Sequence, residues 1–219
     1  RWVPNLDEGG APERLRIALN ADSLATWWAA AVGDFCAERR VLLDLVVEDQ
    51  EVGLKRMRAG EVAGCVCGSP RPVAGARSLL LGAMRYRGLA SPDFIARHFP
   101  RGVEAAALAG VPAIVFGPDD LLQHRFLKDL GVEGGFIHHL CPSSEGFVRL
   151  TAGGLGWGLV PERQVQGELA RGELVELLPG QVIDVPLYWH YWRNGGELLA
   201  SLTEHLLARA GDGLVRVSG

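Results

Sequence analysis

Residues 14–49 decide the fold, and they read RLRIALNADSLATWWAAAVGDFCAERRVLLDLVVED. Polar and apolar residues alternate over 14–20, which is the period of a β-strand, whereas 22–40 repeats apolar residues at helical spacing. Residues 41–49 again resemble a strand. A strand, a helix and a strand of these lengths predict a right-handed βαβ unit in a parallel sheet.

Strand and helix patterns alternate along the rest of the chain. Helices are predicted at 50–59, closed by Gly60, and at 120–130, 144–152, 161–171 and 197–210. Strands are predicted at 62–68, 77–90, 112–117, 135–140, 156–160 and 185–193.

This succession predicts an α/β fold with two lobes, each a mainly parallel sheet flanked by helices. If the last strand and helix return to the first lobe, two extended segments near 84–90 and 184–187 cross between the lobes. The predicted boundaries are a linker remnant at 1–13, lobe I at 14–86 plus 187–212, lobe II at 87–186 and a tail at 213–219.

Composition excludes several classes of protein. The 219 residues are 48% hydrophobic, and 22 Lys+Arg stand against 26 Asp+Glu, a net charge of −4. A disordered or collagen-like chain is excluded, and an acidic chain is unsuited to gripping a nucleic-acid backbone by itself. No apolar run reaches the roughly 18 residues of a membrane span, and residues 1–12 lack the pattern of a signal peptide. We interpret the N-terminus as a cut within a linker.

The four cysteines do not suggest a metal site. Cys65 and Cys67 are too close in sequence for the usual zinc spacing, and the adjacent His138 and His139 point to opposite faces of a strand. We predict free thiols in a reducing cytoplasm and no metal.

Polar residues follow the predicted strands at the edge where parallel sheets bind ligands. They are Asn20, Asp22 and Ser23 after the first strand, Glu48 and Asp49 after the second, and Asp119, Asp120, Ser143, Ser144 and Glu145 in the other lobe. Helix N-termini at Ser23 and Ser144 would attract a carboxylate, and the acids would attract a cation. The combination suits an α-amino acid with a cationic side chain. Each turn also has a simpler interpretation, because Ser and Asp cap helices and loop acids are commonly solvated.

Catalytic motifs are scarce, so we predict neither an enzyme nor a cofactor. There is no Gly-x-Ser-x-Gly elbow, phosphate loop or His-Glu-x-x-His. The glycines at 153–158 leave a helix and enter a strand, which is the reverse of the order that binds a dinucleotide. We interpret them as a helix stop.

Several of these segments resemble one family. NADSLATW at 20–27, VED at 47–49, SSE at 143–145 followed by FVRL at 147–150, and LYWH at 187–190 resemble the arginine/lysine-responsive ArgP/LysG branch of the LysR-type transcriptional regulators. Some members of this branch are called inhibitors of chromosome replication initiation. The resemblance covers about residues 14–210, which correspond to the effector-binding part.

The resemblance implies a type 2 periplasmic-binding-protein fold and a cytoplasmic sensor of lysine or arginine. It also implies that DNA is read by an N-terminal winged helix-turn-helix outside this fragment. The ligand contacts carried over are Ser23 with its neighbours Asn20, Asp22 and Leu24, then Glu48, Asp49, Ser143, Ser144 and Glu145. Asp119 and Asp120 depend on the charge argument alone.

Family effector domains pair antiparallel, which implies a homodimer that can build into a tetramer. Here the paired helices would be 22–40 and 50–59, with Trp27, Trp28, Val32, Leu54 and Met57 as candidate interface residues. Two adjacent indoles on one helix are not expected both to face the core, so we predict at least one at the interface; alternatively, one lies in the core and the other lines the cleft.

Two other classes of protein share this architecture. A solute-binding protein of an amino-acid transporter is the main alternative, and an enzyme on the same fold is the other. Upstream coding sequence would separate the first alternative from a regulator, and turnover of a bound ligand would reveal the second.

Overall fold

The computed structural model describes residues 10–217 and forms nine β-strands and eight α-helices over that range. The strands are β1 (Glu13–Leu19), β2 (Val41–Val47), β3 (Gly64–Cys67), β4 (Ala76–Ala90), β5 (Ala113–Val115), β6 (His138–Leu140), β7 (Gly158–Pro161), β8 (Val175–Glu176) and β9 (Val182–Trp192). The helices are α1 (Ala21–Ala25), α2 (Trp28–Arg39), α3 (Gln50–Arg58), α4 (Pro92–His98), α5 (Leu122–Asp129), α6 (Ser144–Ala152), α7 (Gln166–Ala170) and α8 (Glu197–Arg209). None of these helices is long and apolar enough to cross a membrane.

The predicted βαβ unit forms the first lobe. β1 pairs in parallel with β2 on one side and with β3 on the other. β9 joins antiparallel to β3, and α8 packs against α2. The last strand and helix therefore return to the first lobe, as predicted, and the sheet is mixed because β9 runs against its neighbours.

Two long antiparallel strands carry the chain between the lobes. β4 and β9 pair along most of their length, with a register shift between Leu80 and Gly82. Gly82 has a φ of +148°, and a Cβ atom there would lie 2.8 Å from the Cβ of Leu214. The backbone N–H of Val215 donates to the carbonyl of Ala83 at 2.8 Å. The crossing segments are confirmed, and the start of the predicted tail packs against β4.

The exact lobe boundaries after residues 86 and 186 stay predictions. Residues 1–9 of the predicted linker remnant and residues 218–219 of the predicted tail lie outside the described residues.

The second lobe packs around Trp157. β7 pairs antiparallel with β4, β5 pairs in parallel with β6, and a bridge between Ala113 and Trp157 connects the two sets of strands. The Trp157 indole is fully buried, donates Nε1–H to the carbonyl of Leu108 at 3.2 Å, and packs against Phe126 and Phe136. One side chain thus joins the sheet, α5 and the segment that contains Leu108.

The helix predicted at 22–40 is broken at Thr26. The Thr26 hydroxyl donates to the carbonyl of Asp22 at 2.6 Å, and the Thr26 backbone leaves the helical region. The break lets Trp27 and Trp28 turn inward together, so each is only 1% exposed. Their rings meet edge to face with centroids 5.7 Å apart. The expectation that both indoles cannot face the core is wrong.

All the side chains predicted at the dimer interface are buried within one chain: Trp27, Trp28, Val32, Leu54 and Met57. They offer no surface to a partner, so the prediction of an indole anchor there is wrong. The outward residues of α2 include Ala29, Ala30 and Gly33. An interface along this helix stays a prediction and would use those residues.

Other elements differ from the predictions. Pro161 ends β7, and the helix predicted at 161–171 is a 3-10 turn (Glu162–Val165) followed by α7. α4, β8 and the 3-10 turn Ala105–Gly110 were not predicted.

The cysteines are free thiols. Cys65 and Cys67 are buried, while Cys36 and Cys141 are half-buried. Within the described part of the chain, no three His, Cys, Asp or Glu side chains are grouped so that they could hold a metal ion.

Replacing Gly64 with Ala is expected to lower the free energy of unfolding by about 2 kcal/mol, because a methyl group would overlap the buried Trp189 ring. That ring cannot move freely, since its Nε1–H donates to Thr203 Oγ1 at 2.9 Å. Gly33→Ala is the matched control: its new methyl group meets nothing within 4 Å on the exposed face of α2, so a gain of up to about 1 kcal/mol is expected. Urea unfolding measures both, and equal stability changes would contradict the packing described.

Candidate functional site

A cleft of about 570 Å³ lies between the lobes, at the carboxyl ends of β1, β2 and β5. Its volume is ordinary for a small-molecule site. The predicted residues that line it are Asn20, Asp22, Glu48, Asp49, Asp119, Asp120 and Ser144. Apolar walls come from Val47, Phe116, Leu122, Phe147, Leu159 and Val160.

Asp22 connects the two lobes across this cleft. Its Oδ1 accepts the hydroxyl of Ser144 at 2.6 Å, and its Oδ2 accepts the hydroxyl of Tyr86, also at 2.6 Å. Asp22 stands on α1 in the first lobe, and Ser144 is the first residue of α6 in the second. The hydrogen-bond donors to the Asp22 carboxylate side chain are therefore two neutral hydroxyl groups, one from each side of the cleft.

Asp120 is a second carboxylate in the cleft. Its two oxygens accept the backbone N–H groups of Phe116 at 2.9 Å and Leu122 at 3.1 Å. Burial raises the pKa of Asp120, and the nearby Asp22 raises it further. Burial, together with the same two acids, raises the pKa of the Tyr86 phenol well above its ordinary value, so Tyr86 remains a donor.

Glu48 and Asp49 have partners within their own lobe. Arg56 donates to Glu48 Oε1 through Nη2 at 2.6 Å and through Nε at 3.0 Å. Asp49 caps α3 by accepting the N–H of Val52 at 3.0 Å. Among residues 10–217, by contrast, no lysine or arginine forms an ion pair with Asp22 or Asp120.

Four predicted residues lie outside the cavity lining. Ser23 is 0% exposed and is part of the core, while Leu24 is 38% exposed. Ser143 caps α6 by accepting the N–H of Gly146 at 3.0 Å, and Glu145 pairs with Arg149 at 2.6 Å on the surface. For Ser143, the simpler capping interpretation describes its contacts.

Two polar residues of the cleft were not predicted. Tyr86 comes from the crossing strand β4, and Gln164 comes from the turn after β7. Gln164 donates Nε2–H to the carbonyl of Ser144 at 3.2 Å. Tyr86 lies on a strand assigned to lobe connection and Gln164 in a segment predicted as helix, so no positional signal marked either.

The arrangement offers complementary charges to a zwitterion with an added cation. Two half-buried carboxylates, Asp22 and Asp120, line the cleft without an ion pair to lysine or arginine, and the N-terminus of the nine-residue α6 presents backbone N–H groups beside Ser144. The carboxylates can bind cationic groups, and the helix N-terminus can bind a carboxylate.

Comparison with known proteins places the chain in one family. The profile of the LysR substrate binding domain matches residues 8–211. The HTH-type transcriptional regulator ArgP of Pseudomonas fluorescens is 75% identical over 213 residues, which are 97% of this chain and 71% of the relative.

Solved structures agree. The C-terminal domains of a LysR family protein from Agrobacterium tumefaciens superpose with a TM-score of 0.88 at 42% identity, covering 94% of this chain and 100% of that one. The full-length LTTR LysG of Corynebacterium glutamicum with bound effector Arg superposes with a TM-score of 0.80 at 36% identity, covering 94% of this chain and 70% of that one. The two-lobed chain, with its acidic cleft between the lobes, therefore belongs to the LysR substrate-binding domain family, which serves transcriptional regulators and not transporters.

Proposed function

We propose that this chain is the effector-sensing domain of a LysR-type regulator and that it binds a basic amino acid, arginine or lysine, in the cleft. The observation that carries the proposal is the pair Asp22 and Asp120, two half-buried carboxylates of the same cavity that form no ion pair with a lysine or arginine. A basic amino acid has two cationic groups, its α-ammonium and its side chain, and each can meet one of these acids.

The α-carboxylate of the ligand is assigned to the N-terminus of α6. The helix dipole and the first backbone N–H groups favour an anion there, although the N–H of Gly146 is already accepted by Ser143 Oγ. Ser144 lies at this helix end and also contacts Asp22, so the two binding regions adjoin. The ligand's neighbouring α-ammonium and α-carboxylate then have partners at one place.

The relative LysG, with bound effector Arg, supports arginine as a ligand of this cleft. Ligand binding would exchange the donors on Asp22, because a cation there competes with Ser144 of the opposite lobe. A ligand moves the lobes only by binding one arrangement more strongly than another. Because the ligand would replace a contact between the lobes, its affinity would differ between the two arrangements of the lobes.

The remaining parts of the proposal follow from the family. The domain acts in the cytoplasm as a homodimer, which can build a tetramer, and passes ligand occupancy to a winged helix-turn-helix that reads DNA. The role needs no catalytic step, metal or cofactor.

A thermal-shift comparison of arginine, lysine and glutamine tests the proposal. Arginine or lysine at about a hundred times its Kd should stabilise the folded chain by about 2.7 kcal/mol, and glutamine should not raise the melting temperature. An equal rise with all three amino acids, or no rise with the basic ones, would refute it.

Arginine affinity is expected to fall on acidification, starting at a higher pH than the ordinary Asp pKa of 3.8 implies, because burial raises the pKa of Asp120. A bound cation requires the ionised carboxylate, so protonation opposes binding. The stability of the ligand-free chain depends on pH in the opposite direction. Ionising an acid whose pKa is raised in the folded state opposes folding. The free energy of unfolding therefore increases as the pH falls through the raised pKa of Asp120. Calorimetric titrations between about pH 7 and about pH 4 measure the affinity. Asp120→Asn should remove the part of the pH dependence of arginine affinity that comes from Asp120. An unchanged pH profile in the variant would exclude Asp120 as its source.

A further inference from the structure

Tyr86 is a core residue whose hydroxyl is bound to a carboxylate of the cleft. The residue is 5% exposed and belongs to the main hydrophobic cluster, and it also lines the cavity. Its hydroxyl donates to Asp22 Oδ2 at 2.6 Å, and burial holds the pKa of the phenol well above its ordinary value. The proton therefore stays on Tyr86, which is a lasting donor to the carboxylate.

The backbone around Tyr86 fixes the position of this donor. Within β4, Tyr86 is paired with Ile183 of β9 on one side and with Pro161 of β7 on the other. Strands on both sides restrain the backbone, and the packed core restrains the ring. Asp22, by contrast, is half-buried in the first turn of the five-residue α1. The hydroxyl on the strand is thus the fixed partner, and the carboxylate is the side chain that it holds.

The two oxygens of the Asp22 carboxylate have donors of different kinds. Oδ2 is bound by Tyr86, whereas Oδ1 accepts the hydroxyl of Ser144 at the N-terminus of α6. In the proposed function, the α-carboxylate of the ligand occupies that helix end, and its α-ammonium replaces Ser144 at Asp22. Oδ1 is then the oxygen that exchanges partners, and Oδ2 is the oxygen that keeps its partner.

We propose that Tyr86 is a positioning residue for effector binding, which holds Asp22 Oδ2 so that Oδ1 meets the α-ammonium of the ligand. This inference rests on the proposed function. It makes the hydroxyl important for every ligand that has an α-ammonium. Two alternatives predict otherwise. A Tyr86 with a structural role alone would affect all ligands equally, and a hydroxyl that accepted directly from a guanidinium would affect all guanidinium ligands equally.

The test compares arginine with δ-guanidinovalerate, which is arginine without its α-ammonium, by calorimetry on the wild-type chain and on Tyr86→Phe. Phenylalanine keeps the ring and removes the donor. Arginine affinity should fall about tenfold, because a hydrogen bond to a charged group is lost, and the affinity of the analogue should fall less than about threefold. Lysine, which has the α-ammonium, should lose as much affinity as arginine. Equal losses for arginine and the analogue, or no loss for arginine, would overturn the proposal.

Tyr188→Phe is the matched control for this substitution. Tyr188 is half-buried on β9 outside the cavity lining, so the ratio of the two affinities should stay at the wild-type value. Destabilisation does not produce the expected pattern, since a smaller folded fraction lowers the apparent affinities of all ligands by the same factor.

A second measurement needs no analogue. Asp22→Asn removes the charge through which Tyr86 acts, so adding Tyr86→Phe to that variant should lower arginine affinity by less than about threefold. A further tenfold loss in the double variant would show that the two residues act independently, which would overturn the proposal. If the wild-type chain binds neither arginine nor lysine, the proposed function fails and this inference fails with it. If it binds them and Tyr86→Phe leaves the ratio unmoved, only this inference fails.

Discussion

Replacing Asp22 with Asn is expected to weaken arginine binding by more than about a hundredfold. Asn keeps the shape of the side chain and an oxygen that can accept from Tyr86 or Ser144, but it lacks the charge. Removing one partner of a desolvated, hydrogen-bonded charge pair costs about 2–5 kcal/mol, and about 2.7 kcal/mol corresponds to a hundredfold change in Kd. Calorimetric titration measures the effect, and an unchanged melting temperature without ligand shows that the fold is retained.

Glu48→Gln is the matched control for that substitution. It removes one negative charge from the same cavity, but the Glu48 carboxylate is already bound by Arg56 at 2.6 Å and 3.0 Å. Arginine affinity should change by less than about threefold. Equal losses in the two variants would mean that only the total negative charge of the cleft matters, which would contradict the specific role of Asp22.

Trp157→Ala is expected to lower the free energy of unfolding by about 4 kcal/mol. The substitution removes a fully buried indole from between Phe126 and Phe136, and losses of this kind are about 3–5 kcal/mol. It also removes one of two donors to the Leu108 carbonyl, which keeps only the N–H of Val111 at 3.4 Å. Urea or guanidinium unfolding measures the change.

Trp157→Phe separates packing from hydrogen bonding. Phenylalanine keeps most of the aromatic volume and removes the N–H, so a smaller loss of about 1–2 kcal/mol is expected. A loss below about 2 kcal/mol in Trp157→Ala would show that the second lobe does not depend on this side chain as the packing implies.

Much of the fold could be predicted from periodicity. The first βαβ unit, the long strand β4 and the return of β9 to the first lobe all match the sequence patterns, because apolar residues recur along these elements at strand or helix spacing. The break at Thr26 could not be predicted in this way, since apolar spacing continues through it. The Thr26 hydroxyl bonds the carbonyl of Asp22 at the break, but Thr151 and Thr203 make the same contact within unbroken helices, so this residue type does not by itself mark a helix end.

Proline beside a helix start is a signal that holds at one boundary of this chain and fails at another. α4 begins with Ser91 as its cap and Pro92 in its first turn, which is an ordinary helix start. At Pro161 the same signal predicts a helix start, but this proline ends β7 instead. One residue type thus marks two different boundaries, and only tertiary pairing distinguishes them.

The cleft was predictable where it is built from strand ends. Asp22, Glu48 and Asp120 all follow parallel strands, and the geometry of such sheets brings them to one edge. The sequence could not show which acids already have a basic partner. Arg56 on α3 pairs with Glu48, which lies just before that helix. Tyr86 lies on the crossing strand β4, and Gln164 lies in the 3-10 turn after β7. Neither follows the end of a parallel strand, so the strand-end rule does not predict them.

The most direct test of the central claim is a calorimetric comparison of arginine with citrulline on the wild-type chain. Citrulline has nearly the shape of arginine but carries a neutral urea in place of the guanidinium. If the unpaired Asp22 and Asp120 recognise positive charge, arginine should bind at least about tenfold more tightly than citrulline. Equal affinity for the two, or no binding of arginine, would contradict the account.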